Sequence, residues 1–171
     1  KIAITGSTGF LGTALVELLL REIDDIQLRL LIRPSGKRSA SKRLERDILR
    51  NDAFDQLREA LGAEGFNELA SNAVKALSAD ISLDNLGLDD TGLRELSECD
   101  IVIHSAAAVS FDEPLDRAAE VNLMGPVRLV ETLQNLDAEP HLVMVSTCYV
   151  DGNRKGTAHE NPLSQSPFYV P

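Results

Sequence analysis

Residues 5 to 12 read TGSTGFLG and stand without a spacer between the apolar run KIAI and the helical pattern TALVELLLRE. A glycine-rich turn from a strand into a helix lets backbone N–H groups approach an anion, and the helix N-terminus adds a favourable partial charge. Gly6, Gly9 and Gly12 supply the spacing, although three glycines alone are equally consistent with a plain tight turn. Their context decides: no Lys follows Gly12, as a nucleotide-triphosphate loop requires, and the turn is the first strand–helix junction of a repeating pattern. A dinucleotide diphosphate site is the reading that fits a βαβ unit opening in this way.

The rest of the chain repeats that alternation. IQLRLLIR (26–33), AVKALSADI (73–81), DIVIHSAAAV (100–109) and HLVMVST (141–147) read as further strands after KIAIT (1–5). GFLGTALVELLLRE, LDDTGLRELSE and PLDRAAEVNLMGPVRLVETLQNL read as helices, with Leu11, Leu15, Leu18 and Leu19 at helical spacing in the first. About forty residues separate the second and third strands, far more than the roughly 2 to 6 of such loops. SKRLERDILRNDAFDQLREALG within them has helical pattern, so a helical insertion is expected at about 35–72 of a single domain spanning 1–171. Apolar strands with little alternation are covered on both faces, and intervening helices imply right-handed crossovers. The expected fold class is α/β, a doubly wound parallel sheet with strand order 3-2-1-4-5. Ligands of such sheets bind at the carboxyl ends of the strands, where the order reverses between the first and fourth. Pro126 is expected to kink or break the long helix, because it removes a backbone donor.

Charge narrows the function classes. A formal net charge of −10 argues against a nucleic-acid partner, which needs a broad basic face. No run approaches the ~18 apolar residues of a membrane span, and Cys99 and Cys148 lie in or beside apolar runs, where buried free thiols are expected rather than a disulfide or metal site. A reducing, cytoplasmic location fits them, with peripheral membrane association left open. The chain starts at a strand, with neither Met nor signal-peptide pattern, and is read as a piece of a longer protein. One segment runs against the overall charge: RPSGKRSASKRLER, Arg33–Arg46, holds six basic residues and one acid. Where an NAD-binding sheet places an acid at the end of the second strand, this chain has Arg33, whose planar guanidinium suits a 2′-phosphate. The expected cofactor is therefore NADP(H), with a solvated basic helix face as the bland alternative.

TGSTGFLG, LLIRP, SADI, VIHSAAAVSFDEPL, EVNLMG and VMVSTCYVDG, in this order, resemble the extended short-chain dehydrogenases/reductases, and within them the male-sterility type branch that includes fatty acyl-CoA reductases. The resemblance covers essentially the whole chain and implies a Rossmann fold, the N-terminal part of such an enzyme. It implies that Thr5, Gly6, Ser7, Thr8, Gly9, Phe10, Leu11 and Gly12 hold the cofactor's diphosphate side, and that Ser105, Ala106, Ala107 and Ala108 admit its close approach. Arg33 and Arg43 are the implied 2′-phosphate contacts, ahead of Lys37, Arg38 and Lys42. Asp80, with Ile81, is the implied adenine contact, although SADISLDNL also reads as ordinary helix capping. Ala79 stands where the family often has Gly.

Among catalytic positions, the resemblance assigns the substrate carbonyl to Thr147 rather than Ser146, either of which alternatively satisfies the backbone. It gives Asn122 the water of a proton relay. His104 is read as a packed strand histidine. The family's Tyr and Lys, spaced YxxxK, do not occur in this chain: Tyr149 is followed four residues later by Asn153, and Tyr169 lies two residues from the end. The implied activity is NADPH-dependent reduction of a fatty acyl-CoA to aldehyde or alcohol. Alternatives are a carrier-bound thioester reductase, a sugar-nucleotide or sterol-type enzyme of the same superfamily, and, from another class, a non-catalytic dinucleotide-sensing module. The 171 residues alone are expected to bind the dinucleotide without turnover.

Overall fold

The computed structural model describes residues 1–152, 155–157 and 159. Five short strands, β1 (Ile2–Thr5), β2 (Leu28–Ile32), β3 (Val74–Ser78), β4 (Ile101–His104) and β5 (His141–Met144), form one sheet in the order β3-β2-β1-β4-β5. Every pair is parallel, with Ile2 beside both Leu28 and Ile101, Leu28 beside Val74 and Ile101 beside His141. The reversal of order therefore falls between β1 and β4, as expected.

Both faces of the sheet are covered at β1 and β2, which is why those strands show so little alternation, whereas β5 is largely exposed. Ile2, Ile4, Leu28, Leu30 and Ile32 share one core with Val16 and Leu20 of α1 (Phe10–Glu22). Ala3, Leu31, Leu77 and Val102 face a second core with Leu96 of α4 (Asp90–Ser97) and Leu129 and Leu133 of α6 (Gly125–Asn135).

The excursion between β2 and β3 joins the first core. It consists of α2 (Ala40–Arg43) running into a π-helical segment Leu44–Leu49, a 3₁₀ turn Asp52–Phe54 and α3 (Asp55–Ala73), which kinks at Gly62, where φ is +67°. Ile48, Phe54, Leu57 and Phe66 pack with Val16. Phe54 and Phe66 meet edge to face at 5.9 Å, and Arg58 lies 5.7 Å from the Phe66 ring while donating to the carbonyls of Leu49 (2.7 Å) and Asn51 (3.0 Å). The excursion is thus tied to α1, the helix that opens at the glycine loop.

Three local expectations need correcting. The fourth strand ends at His104 rather than running to 109. At Gly6 (φ +74°) the β1 chain turns away, so β4 loses its ladder partner; the Ser105 N–H and hydroxyl both fold back onto the Thr5 carbonyl, at 3.3 and 2.8 Å. β5 stops early for the same reason, after a last bond from Val145 N–H to the His104 carbonyl at 2.9 Å. Pro126 does not break its helix. The helix runs from α5 (Leu115–Ala119) through a π-helical turn, Glu120–Met124, into α6, and Ala119, Glu120, Met124 and Gly125 all keep helical dihedrals. The missing proline donor falls at the start of α6, just after the widened turn, where the change of hydrogen-bond pattern absorbs it.

Candidate functional site

The three glycines of the loop do different work. A Cβ at Gly6 would lie 2.6 Å from Ala106 N, and one at Gly12 would lie 2.2 Å from the Gly6 carbonyl oxygen, so these two permit the β1 loop, the β4 loop and α1 to pack backbone to backbone. Gly9 is different. It has φ −86° and ψ 172°, which any residue adopts, and a Cβ there would meet only the Gly6 oxygen, at 3.3 Å. The space in front of Gly9 is open to a ligand.

Gly9 is also the N-cap of α1, and no side chain caps the helix. The first turn carries no acid, Phe10 is 97% exposed and the side chain of Leu11 is half-exposed, so no anionic side chain of that turn competes for the N–H groups of Phe10, Leu11 and Gly12. Thr8 lies beside them. Ser7 is buried, and its hydroxyl is one of two buried side-chain groups without a partner among the described residues. A diphosphate fits this cradle: unused N–H donors, a favourable helix end and a position where a Cβ would intrude.

Thr5 joins the two loops. Its Oγ1 accepts from Ala106 N–H at 3.2 Å and lies 2.8 Å from His104 Nδ1. His104 is buried, and burial lowers its pKa, keeping it neutral. The packed reading of His104 therefore has the partner that the sequence did not reveal, 99 residues away.

Asn122 holds the β4 loop from the other side. Its Oδ1 accepts from Ala108 N–H at 2.8 Å and its Nδ2 donates to the Ala108 carbonyl at 2.9 Å, so both amide groups act on one residue. An amide paired in this way substitutes for a strand neighbour in a segment that has left the sheet. Ala107, between the two tethered alanines, is exposed. Ile81 packs against the start of α6, where a Cβ on Gly125 would come within 2.9 Å of it.

Asp80 makes the local capping contacts that the sequence allowed. Its Oδ1 accepts from the N–H of Ser82 (3.0 Å) and from its hydroxyl (2.7 Å), a local cap, which leaves Oδ2 for a ligand. At the end of β5, Ser146 and Thr147 are exposed. Thr147 Oγ1 accepts from Tyr149 N–H at 3.2 Å, capping the turn Cys148–Asp151, and its hydroxyl hydrogen remains available.

The basic cluster borders an open depression of about 390 Å³, lined by Pro34, Lys37, Arg38, Ser39 and, from β3, Ser78. Arg33 is exposed at the end of β2. Arg43 is not free: Nη1 donates to the Arg33 carbonyl at 2.7 Å and Nε to Asp47 at 2.8 Å. It therefore fixes the backbone that presents Arg33. The i,i+4 spacing of Arg43 and Asp47 was readable in the sequence; the bond to Arg33 was not. Asn153 and Tyr169 lie outside the described residues, as does the side chain of Cys148, whereas Cys99 is a buried free thiol. Among the described residues no cluster could hold a metal ion and no helix is long and apolar enough to cross a membrane.

Comparison with known proteins sharpens this picture. Residues 4–167 match the NAD-binding domain family described as male sterility protein. Fatty acyl-CoA reductase 8 of Arabidopsis thaliana is 37% identical over 165 residues, 95% of this chain and 33% of that protein. The alcohol-forming fatty acyl-CoA reductase of Simmondsia chinensis is 32% identical over 164 residues, 94% and 33% of the two chains. The chain thus spans about a third of the length of these relatives. Among solved structures, the terminal R domain from the myxalamid PKS-NRPS pathway superposes with a TM-score of 0.73 at 26% identity, covering 95% of this chain and 39% of that one. The reductase domain of a non-ribosomal peptide synthetase from Mycobacterium tuberculosis gives 0.64 at 32%, covering 87% and 33%.

Proposed function

Because this chain belongs to the male sterility protein family and carries its nicotinamide-dinucleotide-binding Rossmann domain, we propose that the protein containing it reduces a fatty acyl-CoA to an aldehyde or alcohol, with NADPH as the reductant. The observation that carries this reading is the convergence, at the carboxyl end of the sheet, of the uncapped α1 N-terminus, the Ala106–Ala108 backbone and the Thr147 hydroxyl. Relatives of this sequence named as fatty acyl-CoA reductases support the substrate class.

When bound, the reduced dinucleotide supplies hydride. The chain's own part is to hold and polarise. Phe10, Leu11 and Gly12 donate backbone N–H bonds to the diphosphate. Thr5 and Asn122 keep the β4 loop at the height that Gly6 allows. Thr147 donates its hydroxyl hydrogen to the thioester carbonyl oxygen, stabilising charge that grows there as the carbon is reduced. Asp80 Oδ2 accepts from the adenine amino group. For the relay assigned to it, Asn122 would hold the water with the Oδ1 lone pair or the Nδ2–H that its two bonds to Ala108 leave over.

Preference for NADPH rests on Arg33, exposed at the β2 end and held in place by Arg43. A charge-assisted hydrogen bond contributes roughly 1.5 to 3 kcal/mol. Arg33→Ala should therefore weaken NADPH binding about 10- to 100-fold and leave NADH nearly unchanged, as read by calorimetry with both cofactors. A wild type that prefers NADH, or equal weakening of both, overturns the assignment. Likeness to the R domains of peptide-synthetase pathways supports a second reading, in which the thioester is carrier-bound. Turnover of acyl-CoA against the same acyl group on a carrier protein separates the two.

A further inference from the structure

We propose that Phe111 and Tyr149, with Val109 and Leu115, form the wall along which the acyl chain of the substrate lies. The inference rests on the acyl-thioester reading above and extends it to side chains with no part in the cofactor cradle. Phe111 belongs to the loop after β4 and Tyr149 to the turn after β5, and their rings meet edge to face with centroids 6.3 Å apart and planes at 80°. Phe111 is 91% exposed, Leu115 84%, Val109 83% and Tyr149 70%. Four large apolar side chains standing in solvent beside a ligand crevice mark a surface that something apolar covers.

Two observations indicate which part of the substrate that is. First, the wall is continuous with the reacting end of the site: Tyr149 N–H donates to Thr147 Oγ1 at 3.2 Å, so the ring and the hydroxyl that faces the carbonyl share one short turn. A chain leaving the carbonyl meets the aromatic pair first. Second, the charges interspersed with the wall are of the wrong sign for a phosphate. Asp112, Glu113 and Asp116 flank Phe111 and Leu115, and Arg117 is ion-paired with Glu113. This surface repels the anionic end of a coenzyme A thioester and accepts its uncharged hydrocarbon.

The test uses the full-length protein and a series of saturated acyl-CoAs from butyryl to octadecanoyl, with kcat and KM measured for each and NADPH affinity as a control. Each methylene that gains burial raises kcat/KM by up to about fourfold. Phe111→Ala should lower the hexadecanoyl-to-butyryl ratio of kcat/KM about tenfold, mainly through KM. Phe111→Leu should restore much of it, and NADPH affinity should not move in either variant. An unchanged ratio, with equal losses at every chain length or a lowered Tm, would mean that further protein covers the patch and would overturn the wall alone. A wild type that reduces none of the acyl-CoAs overturns the proposed function and the wall with it.

Discussion

Gly9 offers the cleanest perturbation of the proposed dinucleotide cradle, because its conformation and surroundings leave it little part in folding. A methyl group there adopts an ordinary extended conformation and meets one atom, the Gly6 carbonyl oxygen, at 3.3 Å, which a shift of a few tenths of an ångström relieves. Losing Gly at the N-cap for Ala costs about 1 kcal/mol, or roughly 2 to 4 °C in Tm for a chain of this size. The same methyl stands where an anion must approach the N–H groups of Phe10, Leu11 and Gly12. Displacing it from one such charge-assisted bond costs about 1.5 to 3 kcal/mol, so Gly9→Ala should weaken NADPH and NADH alike by about 10- to 100-fold. Calorimetric titration of both cofactors, with thermal unfolding of the same samples, reads the two effects separately. Gly12→Ala is the contrasting case: its Cβ would lie 2.2 Å from a backbone oxygen, so it should lose the fold. Affinity within threefold of wild type in a folded Gly9→Ala protein would refute the cradle, and a Gly12→Ala protein of normal Tm would refute the packing on which the distinction rests.

Other predictions concern charges, the loop clamp and the thiol. Glu95, bound by Lys75 and by the buried Arg29, has its pKa lowered to about 2. It therefore stabilises the fold above its unfolded value of about 4.3, and that contribution fades as pH falls toward 2. Glu95→Gln should cost on the order of 1 to 2 kcal/mol at pH 7 once solvent screening is allowed for and flatten the acid limb of a stability profile; an unaltered limb would count against the ion cluster. Asn122→Leu should leave the sheet intact yet free the Ala108 segment, seen as faster amide exchange in residues 105–110 and weaker dinucleotide binding, while exchange identical to wild type would show that the clamp holds nothing. Burial raises the Cys99 thiol to about 11, so alkylation at pH 8, mapped by peptide mass, should miss Cys99 until denaturant is added; rapid native labelling would contradict its burial.

Much of this protein is legible locally. The apolar runs, the helical periods and the position of TGSTGFLG specify elements and the end of the sheet at which a ligand would sit, because parallel crossovers of one hand leave few orders for five strands. What the tertiary structure alone decided are pairings across great sequence distance and the places where a partner departs. The β4 strand ends at His104 because β1 turns at Gly6, and His104 finds Thr5. Asn122 is spent on Ala108, and Arg43 presents Arg33 through its backbone instead of standing free beside it. The three glycines look alike in the sequence, yet only their neighbours divide them into two that let backbones touch and one that faces open space. Local patterns report each residue's own preference, whereas a hydrogen bond or a close approach belongs to two residues and exists only once the fold has brought them together.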